Sequence, residues 1–383
     1  MDNKFAIRNG GLILGDKVIT GGSLRVYGGR IKYAGKRIPP LPHEKAINAK
    51  GNYICPGFID IHAHGMLGKE GCRINEEGLS EMCSQMARSG VTSFLATTVS
   101  LPPADLLKVA RAAAGFVRMN RDSNLIGLHF EGPFVNRDYS GAQNKKNIFS
   151  YRSGILDKVF SEGKGLIKAV TFAPESKNAM GLLKFLSKRG VVASIGHSNA
   201  DYGLVKKAVE CGAKHVTHLF NAMPAFHHRK PGIIGAALTL DGLSVDIIAD
   251  GLHLDPVTVK LAVRAKGTDK VILISDTIDC GKKDFKLGGL DVRVGRDGAR
   301  LRNGSLAGSV IGLNDAVRNV MKFAGISLPE AVKMVTANPA RLLSIDGRKG
   351  SLEAGKDADI VVFDRNIDVK FVSVKGRIVF NKL

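Results

Sequence analysis

Eight short apolar runs recur along the middle of the chain, and their alternation with helical patterns restricts the fold more than any other feature. In order they are "NYICPGFIDIHAH", "GVTSFLATTVS", "NLIGLHFEGP", "LIKAVTFAPE", "GVVASIGHS", "AKHVTHLFNAM", "LSVDIIADGLH" and "KVILISDT". Most gaps carry an amphipathic helical period, as in "EEGLSEMCSQMARSG", "PADLLKVARAAAGFVRMN", "AMGLLKFLSKRG", "ADYGLVKKAVECG" and "DPVTVKLAVRAKG". Several of these end in glycine, a common helix stop. Runs that are continuously apolar, rather than alternating, read as strands buried on both faces and therefore paired in parallel under a layer of helices. The count of eight favours closure into a (β/α)8 barrel; a doubly wound open sheet is the alternative.

The ends have another texture. "GGLILGDKVITGGSLRVYGGRIKYAG" near the start and "GSLEAGKDADIVVFDRNIDVKFVSVKGRIVF" at the finish are short β-like pieces without a helical period. Chain ends often lie close together, so the two can pair as one small β-sandwich. The expected α/β organisation is residues 1–53 as the N-terminal part of the sandwich domain, 54–345 as the barrel and 346–383 as the rest of the sandwich. After the eighth run, "KKDFKLGGLDVRVGRDGARLRNGS" reads as an inserted hairpin with an "RDG" turn, before "LNDAVRNVMKFAG" and "SLPEAVKMVTANPARLL" complete the barrel.

Composition removes several function classes. No apolar run approaches the roughly 20 residues needed to span a bilayer, and "MDNKFAIRNG" lacks the apolar centre of a signal peptide, so a cytoplasmic location is expected. Five cysteines (Cys55, Cys72, Cys83, Cys211 and Cys280) include no C-x-x-C pair, which argues against a disulfide framework or a thiolate zinc site. The formal charge of +21 would suit a nucleic-acid binder. However, the 56 Lys and Arg are scattered and aromatic residues make up only 6%. The basic surface is better suited to steering a small anionic substrate than to binding nucleic acid.

Barrel chemistry gathers at the C-terminal ends of the strands. There the sequence places His62 and His64 after the first strand, Glu131 after the third, His197 after the fifth, His218 after the sixth and Asp276 after the eighth. His62 and His64 are two apart and so project to one side of a strand. Imidazoles and carboxylates without thiolates suit a divalent metal, with zinc or iron first and manganese or cobalt also compatible. Six donors exceed the needs of one tetrahedral ion, so two ions sharing Glu131 use the set fully, with His62 and His64 on one, His197 and His218 on the other, and Asp276 against the first. His129, His215 and His43 read as structural.

In order, "PGFIDIHAHG", "HFEGPFVN", "SIGHSNADY", "THLFNAMPAFHHRKPG", "IADGLHLD", "ISDT" and "LAGS" resemble the N-acetylglucosamine-6-phosphate deacetylases of the amidohydrolase superfamily. The resemblance runs over essentially the whole chain. It implies a (β/α)8 barrel with a β-sandwich built from both termini, a cytoplasmic homodimer, and a phosphorylated N-acetylated amino sugar as substrate. The implied reaction is metal-dependent hydrolysis of the acetamido group of N-acetyl-D-glucosamine 6-phosphate to glucosamine 6-phosphate and acetate. Carried over by motif, Glu131, His197 and His218 are metal ligands and Asp276 is the catalytic aspartate. Asn221, Ala222, Arg229, His253, Leu306, Ala307 and Gly308 are substrate contacts. His253 is expected to polarise the acetyl carbonyl and Arg229 to hold the 6-phosphate, with His227 beside it.

Some members lack the first-strand H-x-H and hold a single metal. Here both histidines are present, which favours two ions in a range of one to two per chain. Members usually carry "GAH" after the third strand, its histidine contacting substrate; this chain reads "SGAQN" and places Ala142 and Gln143 there. Three alternatives follow: the galacto epimer as substrate, another amidohydrolase reaction, and a non-catalytic scaffold. Cyclic-amide hydrolases of the family often carry a carboxylated lysine after the fourth strand, which "TFAPE" does not offer. Scaffolds typically lose ligands, and here the set is complete.

Overall fold

In the computed structural model, which describes residues 4–36, 38–65, 76–278, 284–295 and 298–383, all eight runs contribute strands to one parallel sheet. The strands are Phe58–Gly65, Val91–Thr98, Leu125–Glu131, Ile167–Phe172, Val192–Ile195, His215–Val216, Ser244–Ile247 and Val271–Leu273. Each pairs with the next in sequence, and a short ninth strand, Thr277–Ile278, pairs with the first. The Asp276 backbone N–H donates to the His62 carbonyl at 2.9 Å, so the eighth strand and its continuation return to the start of the sheet. An open doubly wound sheet ends in two free edges; this one does not.

The helical patterns become Glu76–Arg88, Pro103–Met119, Ala179–Ser187, Tyr202–Glu210, Pro256–Lys266, Leu313–Ala324 and Leu328–Val335. Their starts follow local chemistry. Asp201 and Asp255 accept from the backbone N–H groups of Leu204 and Val257, and Ser327 with Glu330 forms a capping box. Such caps contribute about 1 kcal/mol each. The last pattern breaks at Thr336, and Ala337–Leu342 forms a separate helix. Helix Gly232–Thr239 was not legible, because "GIIGAALT" is apolar and small all round, with five buried residues and no polar stripe to betray its period.

The terminal pieces join in one connected eight-stranded sheet, in which Ile360–Phe363 pairs antiparallel with Tyr53–Pro56. The first apolar run therefore divides at Gly57: its leading half belongs to the terminal sheet and its trailing half to the barrel. The terminal sheet encloses its own core, including Phe5, Ile7, Leu24, Ile31, Ile54 and Phe371. It meets the barrel through Val361 and Phe363, whose ring lies 6.2 Å from that of Phe58.

The inserted hairpin is instead a three-stranded antiparallel sheet of Asp284–Leu287, Leu290–Gly295 and Gly298–Leu301. Arg296 and Asp297 of the expected "RDG" turn lie outside the described residues, as do Cys72 and Cys280. Asn144 Nδ2 donates to the Gly288 carbonyl at 3.0 Å, tying this sheet to the loop after the third strand. Among the described residues, no helix is long and apolar enough to cross a membrane.

Candidate metal centre and active site

The six expected donors converge at one end of the barrel, all buried. His62 and His64 lie within strand Phe58–Gly65 rather than after it, and Glu131 is the last residue of its strand. His197, His218 and Asp276 stand on loop backbone with φ of 47°, 32° and 46°. For residues other than glycine this left-handed region costs on the order of 1–3 kcal/mol and persists only where the surroundings enforce it.

Among the described residues, two groups of three form. His62, His64 and Asp276 make one, and Glu131, His197 and His218 the other; within each, the ligating atoms lie within 4.8 Å of one another. His62 Nε2 and His64 Nε2 are 3.2 Å apart and lie 3.4 and 3.3 Å from Asp276 Oδ1. His197 Nε2 and His218 Nε2 are 3.1 Å apart and lie 3.0 and 2.9 Å from Glu131 Oε1. The groups touch through Glu131, whose Oε1 is 3.6 Å from His62 Nε2 and whose Oε2 is 3.4 Å from His64 Nε2.

Their tautomers follow from their other partners. His64 Nδ1 bonds the Thr97 carbonyl at 3.2 Å and His197 Nδ1 the Tyr139 carbonyl at 2.8 Å. A carbonyl only accepts, so each Nδ1 carries the proton and each Nε2 presents a lone pair to the cluster. His64 Nε2 and His197 Nε2 thus face neighbouring ring nitrogens at 3.2 and 3.1 Å, where a cation would satisfy them together. Against the effect of burial, Asp276 and Glu131 favour positive charge here and draw His64 up to about 10 and His218 up to about 9. The donor set therefore fits a divalent cation in each group.

Burial alone raises a carboxyl pKa, but the surrounding imidazoles outweigh it. Glu131 is held well below 4.5, chiefly by His62 and His197, and Asp276 below 3.8 by His62 and His64. Burial pushes His62 well below 6.5 and His129 down to about 4. His129 bonds the Ile61 carbonyl at 3.1 Å and Thr171 Oγ1 at 2.8 Å, so both its nitrogens are committed to structure. His215 likewise braces: its Nε2 lies 2.9 Å from Asp246 Oδ2, while Asp246 Oδ1 accepts from the His218 backbone N–H.

A cavity of about 270 Å³ opens over the cluster. Ala142, Gln143, Asn221, Ala222, His253, Leu306, Ala307 and Gly308 line it, together with Leu287 of the inserted sheet. Larger cavities of about 430 to 660 Å³ lie elsewhere, and none contains either candidate metal group. Arg229 is not brought to the cavity. It is exposed in a loop, donating to His228 Nε2 at 2.7 Å, with His227 and His228 stacked at 4.5 Å. Among the described lining residues there is no lysine or arginine.

Two positioning groups escaped the sequence reading. Asp250 accepts from His253 Nδ1 at 2.6 Å and from the backbone N–H groups of Leu252 and His253 at 2.8 Å, leaving His253 Nε2 for the cavity. Burial opposes its charge, yet the His253 contact leads the bonds that hold it below 3.8. The D-x-x-H spacing of "DGLH" was the available signal. Glu175 had none: it accepts from Asn136, Ser198 and the Asn199 backbone, fixing the loop that carries His197.

Residues 53–379 match the model of the Amidohydrolase family. The chain belongs to that family. This amidohydrolase is 37% identical to the N-acetylglucosamine-6-phosphate deacetylase of Bacillus subtilis (strain 168), over 99% of its own length and 98% of the relative's. It is 30% identical to the N-acetylgalactosamine-6-phosphate deacetylase of Escherichia coli O157:H7, over 89% of its own length and 91% of the relative's. Among solved structures, it superposes on the N-acetylglucosamine-6-phosphate deacetylase of Pasteurella multocida with a TM-score of 0.92 at 28% identity, covering 98% of this chain and 99% of that one. A mutant of the Mycobacterium smegmatis enzyme in complex with N-acetyl-D-glucosamine-6-phosphate superposes with a TM-score of 0.90 at 28% identity, covering 99% and 100%.

Proposed function

We propose that this amidohydrolase removes the acetyl group of N-acetyl-D-glucosamine 6-phosphate, releasing acetate and glucosamine 6-phosphate. The observation that carries the reading is the convergence of both donor groups under a cavity, in a chain matched almost end to end by deacetylases of this substrate. The galacto epimer is the second reading, favoured by the relative that is 30% identical.

His62, His64 and Asp276 would hold one divalent ion and Glu131, His197 and His218 a second, zinc or iron suiting nitrogen and oxygen donors best. Bound there, such an ion supplies Lewis acidity, lowering the pKa of water towards about 7 and polarising a carbonyl. Asp276 is ionised at neutral pH and stands at the cavity, so it takes the proton of the attacking water. It returns that proton to the amide nitrogen, which leaves as an amine rather than as an unstable anion. His253, held by Asp250 through Nδ1, donates to the acetyl oxygen from Nε2 when both ring nitrogens carry a proton, and Asn221, Ala222 and residues 306–308 hold the sugar.

The 6-phosphate needs a cation, and the described residues of the cavity lining offer none. Arg229 offers a planar fork for it. Because Arg229 is exposed and away from its own cavity, the reading assigns it to the site of a second copy in a homodimer. The decisive experiment measures acetate release from N-acetylated gluco and galacto amino sugars, each with and without a 6-phosphate. Equal rates with and without phosphate would overturn the substrate assignment.

A further inference from the structure

Gln143 lines the cavity, yet both ends of its amide are taken by the protein. Its Oε1 accepts from the Ser100 backbone N–H at 2.5 Å, and its Nε2 donates to Glu131 Oε2. The assignment of the two ends is forced by chemistry, since a backbone N–H can only donate and a carboxylate can only accept. The side chain is buried, only 4% exposed, and its own backbone N–H donates to the Ser140 carbonyl at 2.8 Å. An ordered loop, not solvent, therefore sets its position.

The same loop grips a second donor. The Tyr139 carbonyl accepts from His197 Nδ1 at 2.8 Å. Gly141, at φ of 54°, lies so close that an added Cβ would stand 3.2 Å from His197 Cε1. Residues 139–143 thus contact both Glu131 and His197, although these lie 66 positions apart in the chain. Glu131 Oε1, the oxygen that Gln143 leaves free, is the one 2.9 and 3.0 Å from His218 and His197.

We propose that Gln143 is a positioning residue of the metal centre: by holding Glu131 Oε2 it turns Oε1 towards His197 and His218 and so sets the affinity of that group for its ion. The inference rests on the metal reading given above. It departs from the expectation that position 143 contacts the sugar, because hydrogen bonds to a ligating carboxylate fix its orientation whether or not substrate is present.

The test uses full-length protein and zinc as the probe, titrated in competition with a chromophoric chelator. Gln143→Asn keeps a buried amide but is one methylene too short to span Ser100 and Glu131; Gln143→Met keeps the length and loses both bonds. One zinc-binding step should weaken about 10- to 100-fold in each variant, while KM for the phosphorylated sugar in zinc-saturated enzyme changes less than about threefold. Unchanged zinc affinity with a raised KM would overturn the proposal and make Gln143 a sugar contact. Should the Met variant lose its native circular dichroism, the Asn variant decides alone. A wild-type chain that takes up no zinc or iron would instead remove the metal reading itself, and the proposal with it.

Discussion

His62 and His64 stand on a regular strand, whereas His197 and His218 stand on left-handed loop backbone, and the two halves of the candidate metal centre are braced accordingly. On the strand, β periodicity alone aims both imidazoles to one side, and a single carbonyl, that of Thr97, sets the tautomer of His64. The loop pair depends on partners gathered from elsewhere: Tyr139 and Glu175 around His197, Asp246 beneath His218, and Gln143 against Glu131. His62 and His64 need few such partners, while Glu131 is braced by Gln143 although it closes a strand. Donors placed by loops need a shell of buried hydrogen bonds, each of which leaves an unsatisfied group when broken.

Asp276 gives the largest expected effect, since it belongs to the strand-based group while standing on loop backbone. Asp276→Asn keeps shape and an oxygen donor but cannot accept a proton at neutral pH, so kcat should fall about 10² to 10⁴ with zinc content retained. Retention of more than about a tenth of wild-type turnover would assign the proton to another group, His253 first.

Paired removals separate the two halves of the site. Wild-type protein kept from chelators should carry about two ions by metal analysis, and His62→Ala with His64→Ala about one, because Glu131, His197 and His218 still make a three-ligand site. His197→Ala with His218→Ala should lose the other ion. A wild-type count that never exceeds one, with the His62 and His64 variant fully active, would leave the strand pair a structural role.

Smaller effects test the surroundings. Asp250→Asn removes a charge-assisted bond to His253 and should lower kcat about 10- to 100-fold with zinc binding unchanged, as a loss of 1.5–3 kcal/mol implies. Arg229→Ala should raise KM for the phosphorylated sugar roughly tenfold and leave that for the unphosphorylated sugar alone. As a control outside both groups, Asp201→Ala removes a helix cap and should cost about 1 kcal/mol in denaturant unfolding without altering metal content.

Much of this was legible beforehand. The eight apolar runs became barrel strands because a strand buried on both faces must be apolar throughout, which is a local property of sequence. The six donors were legible because their types are rare at buried strand ends and each falls at the close of a run. The third strand of the inserted sheet and helix Gly232–Thr239 were not, the former because a single turn signal cannot count strands and the latter because an all-apolar segment carries no period. Gln143 was placed at the right cavity and read as facing substrate, since no local signal distinguishes an amide that binds sugar from one that binds a carboxylate.

By itself, then, the sequence determined the repeating architecture, the donor chemistry and the family, because periodicity and side-chain type are carried residue by residue. Tertiary structure alone decided that Glu131 groups with His197 and His218 rather than evenly with both pairs, that Gln143 holds Glu131, that Asp250 orients His253, and that Arg229 stands away from its own cavity. The reason is sequence distance. Glu131 meets His218 across 87 positions, and Ser100 meets Gln143 across 43. Contacts of that span are set by closure of the barrel and the packing of its loops, and the left-handed backbone of His197, His218 and Asp276 exists only because that packing enforces it.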